Sequence, residues 1–228
     1  MSQKKQSMRS EIRRRRRNQK YIQYFGLGII VLAVIGLIWW LTPHQKTNAG
    51  TAQNAPTVAA QQFSSAPPMQ IDAKKQYFAT VKMAKGGEFV IQLFPDKAPI
   101  TVNSFIFLAN KGFFNGTTFH RVLEGFMAQG GDPTGTGMGG PGYEFVNEKN
   151  DLAFDKAGVV AMANSGPDTN GSQFFIMFGP YGLSENDYTI FGQVISGMDV
   201  VNGLTRRDPE QNPTFTGDAI ESITITEK

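Results

Sequence analysis

From Tyr77 to the C-terminus, short β-rich runs alternate with clusters of Gly, Pro, Asn and Asp, the texture of many strands joined by turns. Eight runs stand out: Phe78 to Met83, Glu88 to Phe94, Thr118 to Leu123, Phe126 to Gln129, Val159 to Ala163, Phe174 to Phe178, Tyr188 to Ile195 and Ile220 to Thr226. Lys85-Gly86-Gly87 between the first two suits a tight hairpin. Two stretches carry helical spacing instead. Pro99 to Asn110 sets Val102, Phe105, Ile106 and Ala109 on one face, begins with a proline and stops at Lys111-Gly112. Met198 to Thr205 is shorter, with Val200, Val201 and Leu204 on its stripe. Many strands with two helices predict a closed β-barrel capped by the helices.

Upstream the pattern differs. Phe25 to Leu41 is seventeen residues without a charge, about 26 Å long as a helix, with Tyr21, Tyr24, Trp39 and Trp40 as interfacial rings near its two ends. It predicts one transmembrane helix over residues 24–42. Residues 43–75 are rich in Ala, Gln, Thr, Ser and Pro and lack periodicity, which reads as a flexible linker with a reach of roughly 30 Å. The expected organisation is a basic stub (1–23), the membrane anchor (24–42), the linker (43–75) and a folded domain (76–228).

Charge sharpens this picture. Residues 1–20 hold nine Lys/Arg against Glu11, a net +8, whereas Tyr77 to Lys228 holds ten Lys/Arg against seventeen Asp/Glu, a net −7. The acidic domain argues against nucleic acid as a partner. A nuclear signal or RNA-binding arm is the other use of such an arginine block, but the apolar run behind it disfavours both. The positive-inside rule leaves the N-terminus cytoplasmic and the domain on the far side of a cell membrane. A cleaved signal peptide is the alternative, with Thr47-Asn48-Ala49 as its best site, although the apolar run is longer than such signals use. The chain has no cysteine, which removes disulfides, thiolate nucleophiles and cysteine-ligated metals.

Most catalytic schemes fail on inventory. His120 is the only histidine of the folded region, so neither a metal set nor any cofactor is implied. Ser172, in Asn170-Gly171-Ser172-Gln173, is not in a nucleophile elbow. Gly135-Thr136-Gly137-Met138-Gly139-Gly140 matches G-x-G-x-x-G, but Pro141-Gly142 follows where a dinucleotide loop needs a helix N-terminus.

Two dense segments remain: Phe119-His120-Arg121-Val122-Leu123-Glu124-Gly125-Phe126-Met127-Ala128-Gln129-Gly130-Gly131-Asp132, and Met162-Ala163-Asn164-Ser165-Gly166-Pro167-Asp168-Thr169-Asn170-Gly171-Ser172-Gln173-Phe174-Phe175-Ile176. Together with Tyr188-Thr189-Ile190-Phe191-Gly192 they resemble the cyclophilin family of peptidyl-prolyl cis/trans isomerases over the whole stretch from Tyr77. The resemblance implies a mainly β fold, a closed eight-stranded antiparallel barrel capped by two α-helices. It implies an enzyme that rotates Xaa-Pro bonds of polypeptides. The anchor makes exported proteins the expected clients, and the absence of a heptad or long apolar helix from the acidic domain predicts a monomeric soluble domain.

By the same resemblance Arg121 is the catalytic donor. Phe126, Met127 and Phe175 line the proline pocket, and Gln129 and Asn164 bond the peptide backbone, with Ala163 and Gln173 along the groove. His120 is structural. Leu183 stands where the family usually has a tryptophan, and Tyr188 where it has a histidine, so weak inhibition by cyclosporin-like macrocycles is expected. A non-catalytic module that holds proline-containing segments in the same groove is the rival reading.

Overall fold

The computed structural model describes residues 61–228, and the predicted membrane helix over 24–42 and the basic stub lie outside them. Among the described residues no helix is long and apolar enough to cross a membrane. The strands are β1 (Tyr77–Met83), β2 (Glu88–Leu93), β3 (Thr118–Phe119), β4 (Arg121–Leu123), β5 (Met127–Gly130), β6 (Val159–Met162), β7 (Phe174–Met177), β8 (Ile190–Ser196) and β9 (Asp218–Glu227). Two helices accompany them, α1 (Pro99–Asn110) and α2 (Met198–Asn202).

Every strand pairing is antiparallel, in the order β3-β9-β1-β2-β8-β6-β7-β5-β4. The two ends of that order are neighbours along the chain, separated only by His120. The sheet therefore curls into a nearly closed barrel. The count differs from the expected eight because the run Thr118 to Leu123 changes partners at His120. Before it, β3 bonds β9; after it, Val122 exchanges both backbone bonds with Arg207, at 2.7 and 2.9 Å.

The Lys85-Gly86-Gly87 turn forms as predicted, with Gly86 and Gly87 at φ of +94° and +85°, a region open mainly to glycine. Helix α1 has no side-chain cap of its own. Its proline lacks a donor, and the Ile100 and Thr101 N–H groups donate to the Glu148 carboxylate at 2.9 and 2.8 Å. Its predicted face, Val102, Phe105, Ile106 and Ala109, is buried in the barrel mouth, where Phe105 packs on Phe114, Phe174 and Phe191 with centroids 5.1 to 5.6 Å apart.

Strands β6 and β7 are apolar on both faces because each face covers a separate core. Phe174 and Ile176 point into the barrel, while Phe175 and Met177 point out into a second cluster with Met127, Phe154, Val159, Ala161 and Ile190.

Residues 61–75, assigned above to a flexible linker, lie along the barrel instead. Gln70 N–H donates to Asn103 Oδ1 at 2.8 Å, and Asn103 Nδ2 donates to the Pro68 carbonyl at 3.1 Å. The Phe63 ring meets Phe107 edge-on at 5.0 Å, and Ile71 also packs on the core. Composition hid this because the anchors are isolated residues spaced by polar ones, with backbone amides supplying the other bonds.

Candidate active site

Strand register sets four residues in one row on the outer face of the barrel. Arg121 on β4 faces Gln129 on β5, Gln129 faces Phe175 on β7, and Phe175 faces Ala161 on β6. The next row is Leu123, Met127 and Met177. Cross-strand neighbours on one face lie close enough for their side chains to touch, so the row forms a continuous floor.

Arg121 is half-buried and forms no ion pair among the described residues. Its contacts are soft: Nη1 lies 4.0 Å from Met127 Sδ, and the guanidinium carbon sits 5.7 Å from the centre of the Phe126 ring. A permanent cation thus stands over an apolar surface with its donors not committed to a carboxylate. That surface is built from Met127 and Phe175, both nearly fully buried. Phe154 lies parallel to the Phe175 ring at 5.8 Å, and Tyr188 meets it edge-on at 5.5 Å. Leu183 and Ala163 pack at the rim of the same cluster.

The polar side of the groove is a relay of amides. Gln129 Nε2 donates to Gln173 Oε1 at 2.9 Å, and Gln173 Nε2 donates to the Gly137 and Gly139 carbonyls at 3.0 and 2.9 Å. Asn164 is beside them, but its side chain is engaged within the protein. Its Nδ2 donates to the Asp187 carbonyl at 2.8 Å and its Oδ1 accepts from Gly166 N–H. Beyond Gln129, Ala163, Asn164 and Gln173 opens a cavity of about 700 Å³, beside Arg121 rather than on it.

The glycine-rich loop binds an anion, but one from its own chain. The Asp132 carboxylate accepts from Thr134 N–H and Oγ1 and from the N–H groups of Gly137 and Gly139, at 2.6 to 3.1 Å. Burial pushes the Asp132 carboxyl up, yet these donors together hold it below its ordinary value. The donors a pyrophosphate needs are thereby taken. Ser172 is buried with its hydroxyl donated to the Gly131 carbonyl at 2.7 Å, as befits a structural residue.

A family model described as cyclophilin type peptidyl-prolyl cis-trans isomerase/CLD matches residues 78–226, which contain this whole surface. The chain belongs to the cyclophilin-type peptidyl-prolyl cis-trans isomerases. The human peptidyl-prolyl cis-trans isomerase-like 1 is 47% identical over 133 residues, 56% of this chain and 80% of the relative. Peptidyl-prolyl cis-trans isomerase A of Mycobacterium tuberculosis is 45% identical over 159 residues, 61% of this chain and 87% of the relative. The crystal structure of a cyclophilin-type isomerase from Cryptosporidium parvum superposes with a TM-score of 0.58 at 31% identity, covering 67% of this chain and 99% of its own. A second structure of that parasite protein was solved in the presence of the dipeptide Ala-Pro.

The structure of this cyclophilin brings Arg121, Phe126, Met127, Gln129, Ala163, Gln173, Phe175, Leu183 and Tyr188 to one face, with Asn164 at its edge. Sequence reasoning missed Phe154, which lies in a run without strand alternation, and Tyr181, whose exposed ring stacks on Phe126 at 4.3 Å. Tyr181 sits in the 179–188 loop, where no periodicity marks an inward position.

Proposed function

We propose that Arg121 is the catalytic donor of this isomerase and that the enzyme works on exported polypeptides outside the cytoplasm. Rotation about an Xaa-Pro bond breaks no covalent bond but crosses a barrier of roughly 20 kcal/mol, because twisting removes amide resonance. In the twisted state the proline nitrogen regains a lone pair. A donor aimed at that nitrogen, with the ring seated on Phe126, Met127 and Phe175, binds the twisted state better than either planar one. The observation that carries this reading is the Arg121 guanidinium, without an ion-pair partner among the described residues, held over that apolar floor. Gln129, held by Gln173, offers its amide to the peptide backbone, and Asn164, its side chain being engaged, would offer main-chain groups. Leu183 and Tyr188 wall the pocket.

The basic block followed by the apolar run supports a single-pass anchor at 24–42 with the isomerase on the extracytoplasmic side. Uncatalysed isomerisation takes tens of seconds, long enough to delay a newly exported chain. The domain works as a monomer, since a nearly closed barrel leaves little open strand edge for pairing. The test has two arms. Protease added to cells stripped of any wall should digest the domain and spare a basic stub, and the full-length chain should accelerate a proline-limited refolding reaction. Protection of the domain from protease would refute the location, and binding without acceleration would refute the catalytic role.

A further inference from the structure

The strap of residues 61–63 meets the substrate groove from behind. Gln62 Nε2 donates to the Gly140 carbonyl at 2.9 Å, and Phe63 N–H donates to the Pro141 carbonyl at 2.8 Å. The Phe63 ring is pinned between Phe107 and Phe113, and Gln61 Nε2 reaches the Lys111 carbonyl at 3.2 Å. The loop has been shaped to receive this strap. Gly142 has φ +93°, and a Cβ there would lie 2.6 Å from the Phe63 carbonyl oxygen. On its other side the same loop is held by Gln173 through Gly137 and Gly139, and Gln173 in turn holds Gln129 in the row that contains Arg121. The glycine loop is thus clamped between the strap and the amide relay, and Gln62 itself lines the cavity that continues the groove. The strap lies outside residues 78–226, the span that the family model matches.

We propose that Gln62 and Phe63 are positioning residues of the substrate groove: they hold the 137–142 loop in the shape that the amide relay and the cavity require, and so strengthen binding of polypeptides long enough to reach past the proline into the cavity. This deepens the reading of the groove as an Xaa-Pro site and rests on it. A glycine-rich loop has many accessible conformations, and two backbone anchors plus a half-buried ring remove them before substrate arrives. Thermodynamic reciprocity follows: if a docked strap tightens peptide binding, bound peptide must tighten strap docking by the same factor.

The experiment compares the full-length chain with Gln62→Ala, Phe63→Ala and, as a control away from strap and cavity, the exposed Lys156→Ala. Each is assayed on a four-residue Xaa-Pro peptide and on a ten-residue peptide with the same core. Gln62→Ala and Phe63→Ala should lower the ratio of kcat/KM for long over short peptide by about three- to tenfold, the worth of one hydrogen bond, through KM rather than kcat. Lys156→Ala should leave the ratio unchanged. In the unmodified chain, the long peptide should slow amide exchange at Phe63 more than the short one does. A merely structural strap would lower the thermal midpoint of Phe63→Ala yet leave the length ratio intact, and that result would overturn the proposal, as would unaltered exchange at Phe63. Absence of activity on either peptide would instead count against the isomerase reading, with exchange at Phe63 still deciding the role of the strap.

Discussion

Arg121→Ala should separate catalysis from folding in this protein. In the folded state the side chain gives up only a long contact to Met127 Sδ and a guanidinium placed 5.7 Å from the Phe126 ring centre. Such a cation–ring contact is worth about 0.5–1 kcal/mol at a partly exposed site. No carboxylate among the described residues is left behind without its partner, so the penalty that usually follows loss of a buried charge does not arise. The thermal midpoint should therefore move by only about 2–4 °C. With Arg121 as the proposed donor, whose acceptor exists only in the twisted state, its loss should cost about 3–4 kcal/mol of barrier lowering, or about two to three orders of magnitude in rate. Since the planar peptide does not use that bond, kcat should fall while KM stays nearly constant. Arg121→Lys should restore little, because one ammonium cannot reproduce a planar fork. The assay is cis/trans exchange of a short Xaa-Pro peptide, with thermal unfolding of each variant alongside. Activity of Arg121→Ala within tenfold of the parent would refute the donor argument, whatever the fold.

Phe175→Ala should fail in both respects, losing about 3–5 kcal/mol of stability and most activity, because the ring packs on Phe154 and Tyr188 and also floors the pocket; denaturant unfolding checks the first and the peptide assay the second. His120 is 1% exposed, and burial depresses its imidazole below the ordinary value of 6.5, with nearby Asp132 partly opposing. The unfolded chain then binds the proton first, so stability should be constant above about pH 7 and fall as pH drops through 6.5 toward the depressed value. His120→Gln should flatten that slope in unfolding titrations at pH 7.5 and 5.5, while the loss tied to Asp132 and Asp218, both held below 3.8, waits for stronger acid. Leu183→Trp should tighten binding of a cyclosporin-like macrocycle by about tenfold, the worth of added apolar contact, as read by calorimetry; tight binding by the unmodified chain would show that Leu183 is not the wall residue.

Local sequence settled a large part of this protein, and its reach can be traced residue by residue. Pro99 and Gly112 bracket α1 because proline lacks a donor and glycine accepts φ of +68°, properties that act without any distant partner. Gly86-Gly87 likewise turns β1 into β2 through backbone freedom alone. The two dense motifs singled out Arg121, Gln129 and Phe175, which the strand register sets in one row, and strand alternation turns Phe174 and Phe175 to opposite faces. Packing between distant segments decided the rest. The break at His120 exists because Arg207, 87 residues away, pairs with Val122 in place of β9. Phe154 and Tyr181 join the groove through loops whose course only the barrel dictates. The strap at 61–63 reads as linker because its anchors are carbonyls of a glycine loop, and a carbonyl's availability depends on where the backbone runs. Periodicity reports which side of an element is apolar; it carries no information about which remote backbone groups will be left facing it, and those groups close this barrel and brace its groove.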